Sequence, residues 1–309
     1  MTAVPGEPAV VAARRAPGAG RRPRAVGVLR LLGRYAGLIA GGLVMMAPFL
    51  WMLAMSLKAR SEVFSTGLLS FPSGLHWENY GNMWNALPGV TFGVFFQNSF
   101  VIASLVTIGQ LITCSMAAYA FAVLEFRFKS LLFGLILATL IIPFQVVLVP
   151  NFILYRYLPW PFSESGNWIG TQLPLIAWAF FGGAFGTFLL RQFFLAIPSE
   201  LADAARVDGA NPWQIFRHIY LPLARPALAT LAIFTFMWSW NDLLDPLIYL
   251  RDLPSYTTTV GLAFFQGQFV GKWPEMMAGA LVSLLPMIVL FVIAQKYFVR
   301  GITLSGLKG

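Results

Sequence analysis

Residues 197–222 read Ile197-Pro-Ser-Glu-Leu-Ala-Asp-Ala-Ala-Arg-Val-Asp-Gly-Ala-Asn-Pro-Trp-Gln-Ile-Phe-Arg-His-Ile-Tyr-Leu-Pro222. This stretch predicts two short helices joined by a tight turn. Ser199 is a suitable N-cap for the first helix, and Gly209 is the residue type that ends helices in the left-handed conformation. Asn211 is expected to cap the second helix, with Pro212 in its first turn, where a missing N–H does no harm. The segment is therefore predicted to be a helix-turn-helix unit.

The second helix of this unit carries an apolar ridge of Ile215, Phe216, Ile219 and Tyr220 at helical spacing. Such a ridge must be covered either by the chain's own helices or by a groove on another protein. Periodicity alone favours cover by the chain's own helices.

The rest of the chain is too apolar for a soluble globule. Of its 309 residues, 58% are hydrophobic and 11% are charged, and the mean hydropathy is +0.72. Apolar runs long enough to cross a bilayer of roughly 30 Å recur between the charges. We therefore expect an all-α, polytopic membrane protein with six transmembrane helices. The predicted spans are Tyr35–Leu57, Phe100–Phe121, Leu131–Val149, Leu173–Leu190, Pro226–Asn241 and Met276–Gln295.

The distribution of Lys and Arg predicts the orientation. With the N-terminus inside, sixteen of the 21 basic residues lie in inner segments, as short cytoplasmic loops require. Both termini and the 197–222 loop are then cytoplasmic. Residues 1–30, rich in Ala, Gly, Pro and Arg, are expected to form a disordered basic cytoplasmic tail, and residues 31–309 a transmembrane domain. The tail could bind nucleic acid or anionic lipid, but its ordinary role beside a first span is to hold the N-terminus inside.

A search for catalytic or metal chemistry is negative. Cys114 is the single cysteine, and His76 and His218 are the two histidines, which the topology places on opposite sides. No disulfide or His/Cys metal cluster can be assembled from them. No stretch has the glycine spacing of a phosphate-binding loop. Energy for any uphill movement must therefore come from a partner or an ion.

The 197–222 segment resembles the EAA loop of ABC importer permeases, whose pattern is Glu-Ala-Ala, three residues, Gly, nine residues, Ile, any residue, Leu, Pro. Asp203 stands where that pattern has Glu, which keeps the charge with a shorter reach. The six positions that match are Ala204, Ala205, Gly209, Ile219, Leu221 and Pro222. The resemblance favours a groove on another protein as the cover of the apolar ridge.

Beyond residue 31 the chain is similar to the second permease of carbohydrate importers of the maltose type. The stretches that carry this similarity are 97–99, 117–121, 240–242 and 295–298. The resemblance implies a type I ABC importer permease fold in the plasma (inner) membrane of a prokaryote. It also implies three protein partners: a cytoplasmic ATPase dimer that binds ATP, a second permease, and an extracytoplasmic binding protein that delivers a sugar. The implied ATPase-coupling residues are Asp203, Ala204, Ala205, Asp208, Gly209, Ile219, Leu221 and Pro222.

Candidate substrate-path residues lie near the outer ends of two spans. Asp242 and Asp245 follow a fifth span that is short for a full crossing, so they face either the outer headgroup layer or a water-filled path. Asn241 and Trp240 add an amide and a ring of the kinds that bind sugars, and Asn98 lies at the outer entry of span two. Interfacial structure is the alternative interpretation of all of them.

Three other functional classes remain as alternatives. An ABC permease for a non-sugar solute would carry the same loop, because the loop specifies coupling and not cargo. A secondary transporter would place ionisable residues in the middle of its spans, and none is found in spans one to four or six. A membrane-embedded enzyme would have only Asp242 and Asp245 as a candidate acid pair.

Overall fold

The computed structural model describes residues 24–65, 70–85, 87, 89–267 and 272–305, which are predominantly helical. The α-helices are α1 (Arg24–Ser56), α2 (Glu62–Ser65), α3 (Glu78–Trp84), α4 (Phe92–Val123), α5 (Lys129–Ala138), α6 (Phe144–Tyr157), α7 (Leu173–Ile176), α8 (Ala184–Leu195), α9 (Ser199–Val207), α10 (Pro212–Ile215), α11 (Leu221–Leu223), α12 (Arg225–Asn241), α13 (Leu244–Tyr249), α14 (Thr258–Gly267) and α15 (Trp273–Ser305). Short 3₁₀ segments cover Thr139–Ile141, Ala177–Phe181 and Leu253–Ser255, and a π-helical turn covers Phe216–Tyr220.

The chain divides into two compact units, residues 1–51 and residues 52–309. Within the first, α1 begins at Arg24, inside the predicted tail, and residues 1–23 lie outside the described part of the chain. Residues 197–222 lie in the second unit.

Helices long and apolar enough to cross a membrane account for most of the structure. Four qualify individually, with mean hydropathies of 1.8 to 2.6, and two bent helix pairs qualify together, so that counting each pair as one span gives six. The four are Leu31–Ser56, Phe92–Val123, Leu173–Leu195 and Trp273–Ile293, and the two pairs are Lys129–Ile141 with Phe144–Tyr157 and Pro212–Leu223 with Arg225–Asn241. The second span is longer than the predicted Phe100–Phe121, because α4 already begins at Phe92.

The third span is not the continuous helix that we predicted over Leu131–Val149. It breaks after Thr139–Ile141, and the two halves are bent by 101°. Pro143 causes this break, since proline disfavours the helical conformation at the preceding residue and has no N–H to donate. Ile142 accordingly takes extended angles, with φ −75° and ψ 117°.

The fourth span continues past the predicted end at Leu190 to Leu195, and it is interrupted at Gly182 and Gly183. Gly182 has φ +90°, which L-residues with side chains rarely adopt. Glycine also allows a close helix contact further along. A Cβ on Gly186 would lie 2.8 Å from Cys114 Sγ, so α8 packs its backbone directly against α4.

Two of the buried clusters formed by the described residues pack against α4. One lies where the ends of α4 and α8 meet the segment 202–231, and it includes Cys114, Tyr119, Leu190, Phe194, Phe216, Tyr220 and Leu231. The other lies nearer the opposite ends of these helices and includes Ile102, Val106, Ile169, Leu175, Tyr249 and Leu250. The first cluster fixes the position of the helix-turn-helix unit.

Candidate coupling loop and membrane cavity

The segment 197–222 folds as the predicted helix-turn-helix unit, with one difference at its start. Ser199 is already the first residue of α9, Pro198 occupies the N-cap position, and no side chain caps this helix. The cap predicted at Asn211 is formed. Its Oδ1 accepts from the Gln214 N–H at 2.9 Å, while Gln214 Oε1 accepts from the Asn211 N–H at 2.8 Å, which completes a capping box.

The turn between the two helices depends on Gly209, which has φ +84°. Its N–H donates to the Arg206 carbonyl at 3.0 Å, and the Ala210 N–H donates to the Ala205 carbonyl at 2.9 Å. These are the two hydrogen bonds of a Schellman motif. A Cβ added at Gly209 would meet no atom within 4 Å, so only the backbone conformation requires glycine here.

The apolar ridge of the second helix packs against the chain's own helices, and the expectation that a partner covers it is wrong. Phe216 and Tyr220 are 3% exposed and Ile215 is 1% exposed. The Tyr119 ring of α4 lies 5.1 Å from Phe216 and 5.3 Å from Tyr220, and its hydroxyl donates to the Pro212 carbonyl at 2.9 Å. The loop is thus attached firmly to α4.

A different face of the unit remains exposed. Val207 is 88% exposed and Trp213 54%, and these side chains are not part of the ridge. Near them lies a groove of about 340 Å³, lined by Ala205, Asp208, Gly209, Ala210, Gln214, Ile215, His218 and Ile219. Sequence reasoning missed Val207 and Trp213, although large apolar residues off the ridge of an amphipathic loop are the signal that could have found them.

The residues that match the EAA pattern divide between this exposed face and the bundle. Asp203 is exposed and forms an ion pair with Arg206 on the same helix at 2.7 Å, and Ala204 is exposed beside it. Ile219 and Leu221 pack on the buried cluster below, and Pro222 is half-buried. The beginning of the pattern therefore faces outward and its end anchors the unit.

A cavity of about 630 Å³ lies along α4, α8 and α12. Gln110 forms part of its wall and bridges α4 to the chain before α8, since its Nε2 donates to the Ala179 and Gly182 carbonyls at 3.4 Å. Trp178, Trp238 and Asn241 are partly or largely exposed along the wall. The full lining is Val106, Gln110, Leu140, Trp178, Gly183, Ala184, Phe185, Gly186, Leu231, Phe234, Thr235, Met237, Trp238 and Asn241.

Of the predicted path residues, only Asn241 lines this cavity. Asn98 donates its amide to the carbonyls of Pro254 at 2.8 Å and Tyr256 at 3.0 Å, which ties α4 to the loop before α14. Trp240 is 2% exposed and donates its indole N–H to the Ser283 carbonyl of α15. Gln110, Trp178 and Trp238 were not anticipated, because long-range packing brings them together.

Asp242 and Asp245 lie beyond the end of α12. Asp242 Oδ1 accepts the Leu244 N–H at 3.1 Å and the Asp245 N–H at 3.4 Å, which belong to the first two residues of α13. Burial raises the pKa of Asp242, and burial together with the neighbouring Asp242 carboxylate raises the pKa of Asp245 to about 7. A small cavity of about 30 Å³ beside both carboxylates is lined in part by Trp178 and Trp238. In the described part of the chain, no group of three potential metal ligands is found.

Comparison with known proteins gives one consistent result. Residues 110–304 match the family described as binding-protein-dependent transport system inner membrane component. The chain is 32% identical over 270 residues to the sn-glycerol-3-phosphate transport system permease protein UgpE of Yersinia pestis bv. Antiqua (strain Antiqua), covering 86% of this chain and 93% of that one. It is 34% identical over 271 residues to the protein of the same name in Salmonella typhi, with the same coverage.

A solved structure shares the fold. A chain of a bacterial ABC transporter involved in the import of the acidic polysaccharide alginate superposes with a TM-score of 0.70 at 23% identity, covering 92% of this chain and 100% of that one. The six-span, all-α permease fold predicted from the sequence is thereby confirmed.

Proposed function

This chain belongs to the family of binding-protein-dependent transport system inner membrane components, and we propose that it forms half of the membrane path of an ATP-driven importer for a sugar. A second permease supplies the other half, and an extracytoplasmic binding protein delivers the solute. ATP is bound and hydrolysed by a separate cytoplasmic ATPase dimer. The chain is a multi-pass protein of a prokaryotic plasma (inner) membrane, and both of its termini and the 197–222 loop are cytoplasmic.

The folded loop is the observation that carries this proposal. It is a compact unit attached to α4 by buried aromatic rings, and it presents an exposed apolar face with a groove beside it. An exposed apolar face on a loop outside the membrane is typical of a docking site for another protein. We assign the ATPase contact to Val207, Trp213 and the groove, with Asp203 and Asp208 at its edge, and not to the buried ridge.

The cavity along α4, α8 and α12 is the proposed half of the sugar path. No charged side chain is among its described lining residues, which combine the rings of Trp178 and Trp238 with the amides of Gln110 and Asn241. Aromatic faces and a few placed amides suit a neutral, hydroxyl-rich ring. A phosphate would instead require Lys or Arg nearby. The lining therefore favours a neutral sugar over a phosphorylated solute at this subunit.

The test begins with the tagged full chain, purified in detergent from native membranes. Co-purification of an ATPase, a second permease and a binding protein is expected, and a chain that purifies alone would reject the importer.

Uptake is then measured in proteoliposomes with the co-purified subunits, a panel of neutral sugars, and sn-glycerol-3-phosphate as the charged comparison. Trp238→Ala should reduce sugar uptake about tenfold, as truncation of a ring that contacts a ligand typically does. Phe291→Ala is the matched control, because Phe291 is 62% exposed on α15 and does not line the cavity. Unchanged uptake by an assembled Trp238→Ala complex would reject the assigned path.

A further inference from the structure

A group of basic side chains lies at the same end of the bundle as the coupling loop, in and beside the turn between α4 and α5. Three cations lie in or beside this turn: Arg127 in the turn, Lys129 at the first position of α5, and Arg191 on α8, whose guanidinium lies over the Phe133 ring of α5. We call these three residues the basic cluster. Neither the loop nor the cavity uses them.

Arg191 is held in a fixed position and has donors to spare. Its guanidinium carbon lies 4.2 Å from the centre of the Phe133 ring, and its Nε donates to the Phe121 carbonyl at 2.9 Å. Within the described part of the chain, no carboxylate forms an ion pair with it. The two terminal nitrogens of a guanidinium fixed in this way form a fork that fits a phosphate.

The other two cations come from the same turn and from the start of α5. Lys129 is four residues before Phe133 on α5, and side chains with this spacing are neighbours on a helix surface. Its ammonium contacts Glu125 at 3.2 Å, but that carboxylate is 90% exposed and neutralises little. Arg127 lies 4.8 Å from the ring of Phe128, a residue with φ +64° that directs the turn. The basic cluster therefore has three positive charges against one exposed negative charge.

An apolar strip begins directly beside these charges. Phe128, the residue directly before α5, is 59% exposed. On α5 itself, Leu131 is 60%, Leu135 57% and Leu132 43% exposed. Spacings of three and four residues place them on one face of the helix. Cations next to hydrocarbon need a counter-charge at headgroup level. A phospholipid supplies both parts, a phosphate for the cations and an acyl chain for the strip.

We infer that the basic cluster binds the headgroup of an anionic phospholipid of the cytoplasmic leaflet, with an acyl chain along the strip of α5. The leaflet follows from the proposed orientation of the chain. The charge arrangement explains the preference for an anionic lipid, because each Lys or Arg near the surface adds attraction for negative headgroups.

Native mass spectrometry of the full chain, with the subunits that co-purify, tests this inference. The detergent-solubilised protein is titrated with dioleoylphosphatidylglycerol and, separately, with dioleoylphosphatidylcholine. The wild-type protein should bind dioleoylphosphatidylglycerol, the anionic lipid, more tightly than dioleoylphosphatidylcholine. Arg191→Gln should weaken that binding about fivefold, and the double variant Arg127→Gln/Lys129→Gln by about 25-fold. Arg225→Gln is the matched control, because it removes one exposed cation from the same side outside the basic cluster.

Four results would overturn the inference. Equal binding of the two lipids by wild type would do so, as would unchanged binding by both cluster variants. An equal loss of lipid binding in Arg225→Gln would indicate that binding depends on the general surface charge and not on the basic cluster. Displacement of the lipid by an equimolar amount of inorganic phosphate would assign the site to free phosphate. The double variant removes the exposed Arg127 and an ammonium that is paired with the exposed Glu125, so it remains informative if Arg191→Gln does not fold. Lipid binding is measured without transport, so its outcome is independent of the sugar-uptake test.

Discussion

Replacement of Gly209 by valine tests the coupling loop directly. The wild-type φ of +84° lies in the left-handed region, where a β-branched residue costs about 2 kcal/mol. Because no atom lies within 4 Å of the added Cβ, this cost comes from the backbone and not from a clash. A penalty of this size shifts the local equilibrium away from the native turn by about thirtyfold. Relaxation to a negative φ would break the two hydrogen bonds from Gly209 and Ala210.

The expected result is a loss of most transport without a loss of protein. Phe216 and Tyr220 remain packed on Tyr119, so the variant should still insert and fold. Sugar uptake and sugar-stimulated ATP hydrolysis are measured in proteoliposomes, with the chain quantified in the membrane. Retention of the ATPase after detergent washing reports whether the proposed ATPase contact at Val207, Trp213 and the groove has changed.

Two control variants separate the turn from a general effect of substitution. Gly209→Asn should retain most activity, because asparagine tolerates the left-handed region better than other side chains. Gly81→Val adds the same atoms in open space, on α3, where φ is not positive. Normal uptake by Gly209→Val, or an equal loss in Gly81→Val, would refute the role assigned to the turn.

Three further predictions concern the packing and the outer carboxylates. Tyr119→Phe removes the hydrogen bond to the Pro212 carbonyl and should lower the unfolding free energy by about 1 kcal/mol, measured as a lower Tm, with unchanged Tm as the contrary result. Gly186→Ala should lower the free energy of unfolding by about 1 to 3 kcal/mol, because its Cβ would lie 2.8 Å from Cys114 Sγ. Adding Cys114→Ala to this variant should restore part of the lost stability, and no restoration would contradict this contact. The folded-state pKa of Asp245 is raised to about 7, so the folded chain binds this proton more tightly than the unfolded chain. The free energy of unfolding should therefore fall as pH rises from about 4 to about 7. Asp245→Asn should flatten this pH dependence of stability, and an unchanged slope in the variant would refute the assignment.

Local signals in the sequence predicted the parts of the loop that local physics determines. As expected, Asn211 caps the second helix and Gly209 forms the left-handed turn, since both effects involve residues within one helical turn of each other. The cap expected at Ser199 failed because Pro198 already occupies the N-cap position. Boundaries of this kind shift by one residue without any change in the fold.

Features that depend on distant residues could not be predicted in this way. Periodicity identified the apolar ridge and favoured cover by the chain's own helices, but the particular contacts with Tyr119 and Phe194 depend on how α4 and α8 end in space. Hydropathy identified the third span, but it carries no information about a bend. The signal at Pro143 was present, and its effect on Ile142 outweighed the apolar pattern around it.

The buried ridge also gives the coupling loop a physical connection to the proposed sugar path. Tyr119 contacts the loop, and Gln110, about two and a half turns earlier on the same helix, lines the cavity. On α8, Phe194 packs against Tyr220 at 5.5 Å, while Gly186 lies on the cavity wall. Helices packed at core density move as rigid bodies and do not deform continuously. In the proposed importer, a displacement of the loop by the ATPase would therefore move two walls of the cavity together, which a loop held only by its partner could not do.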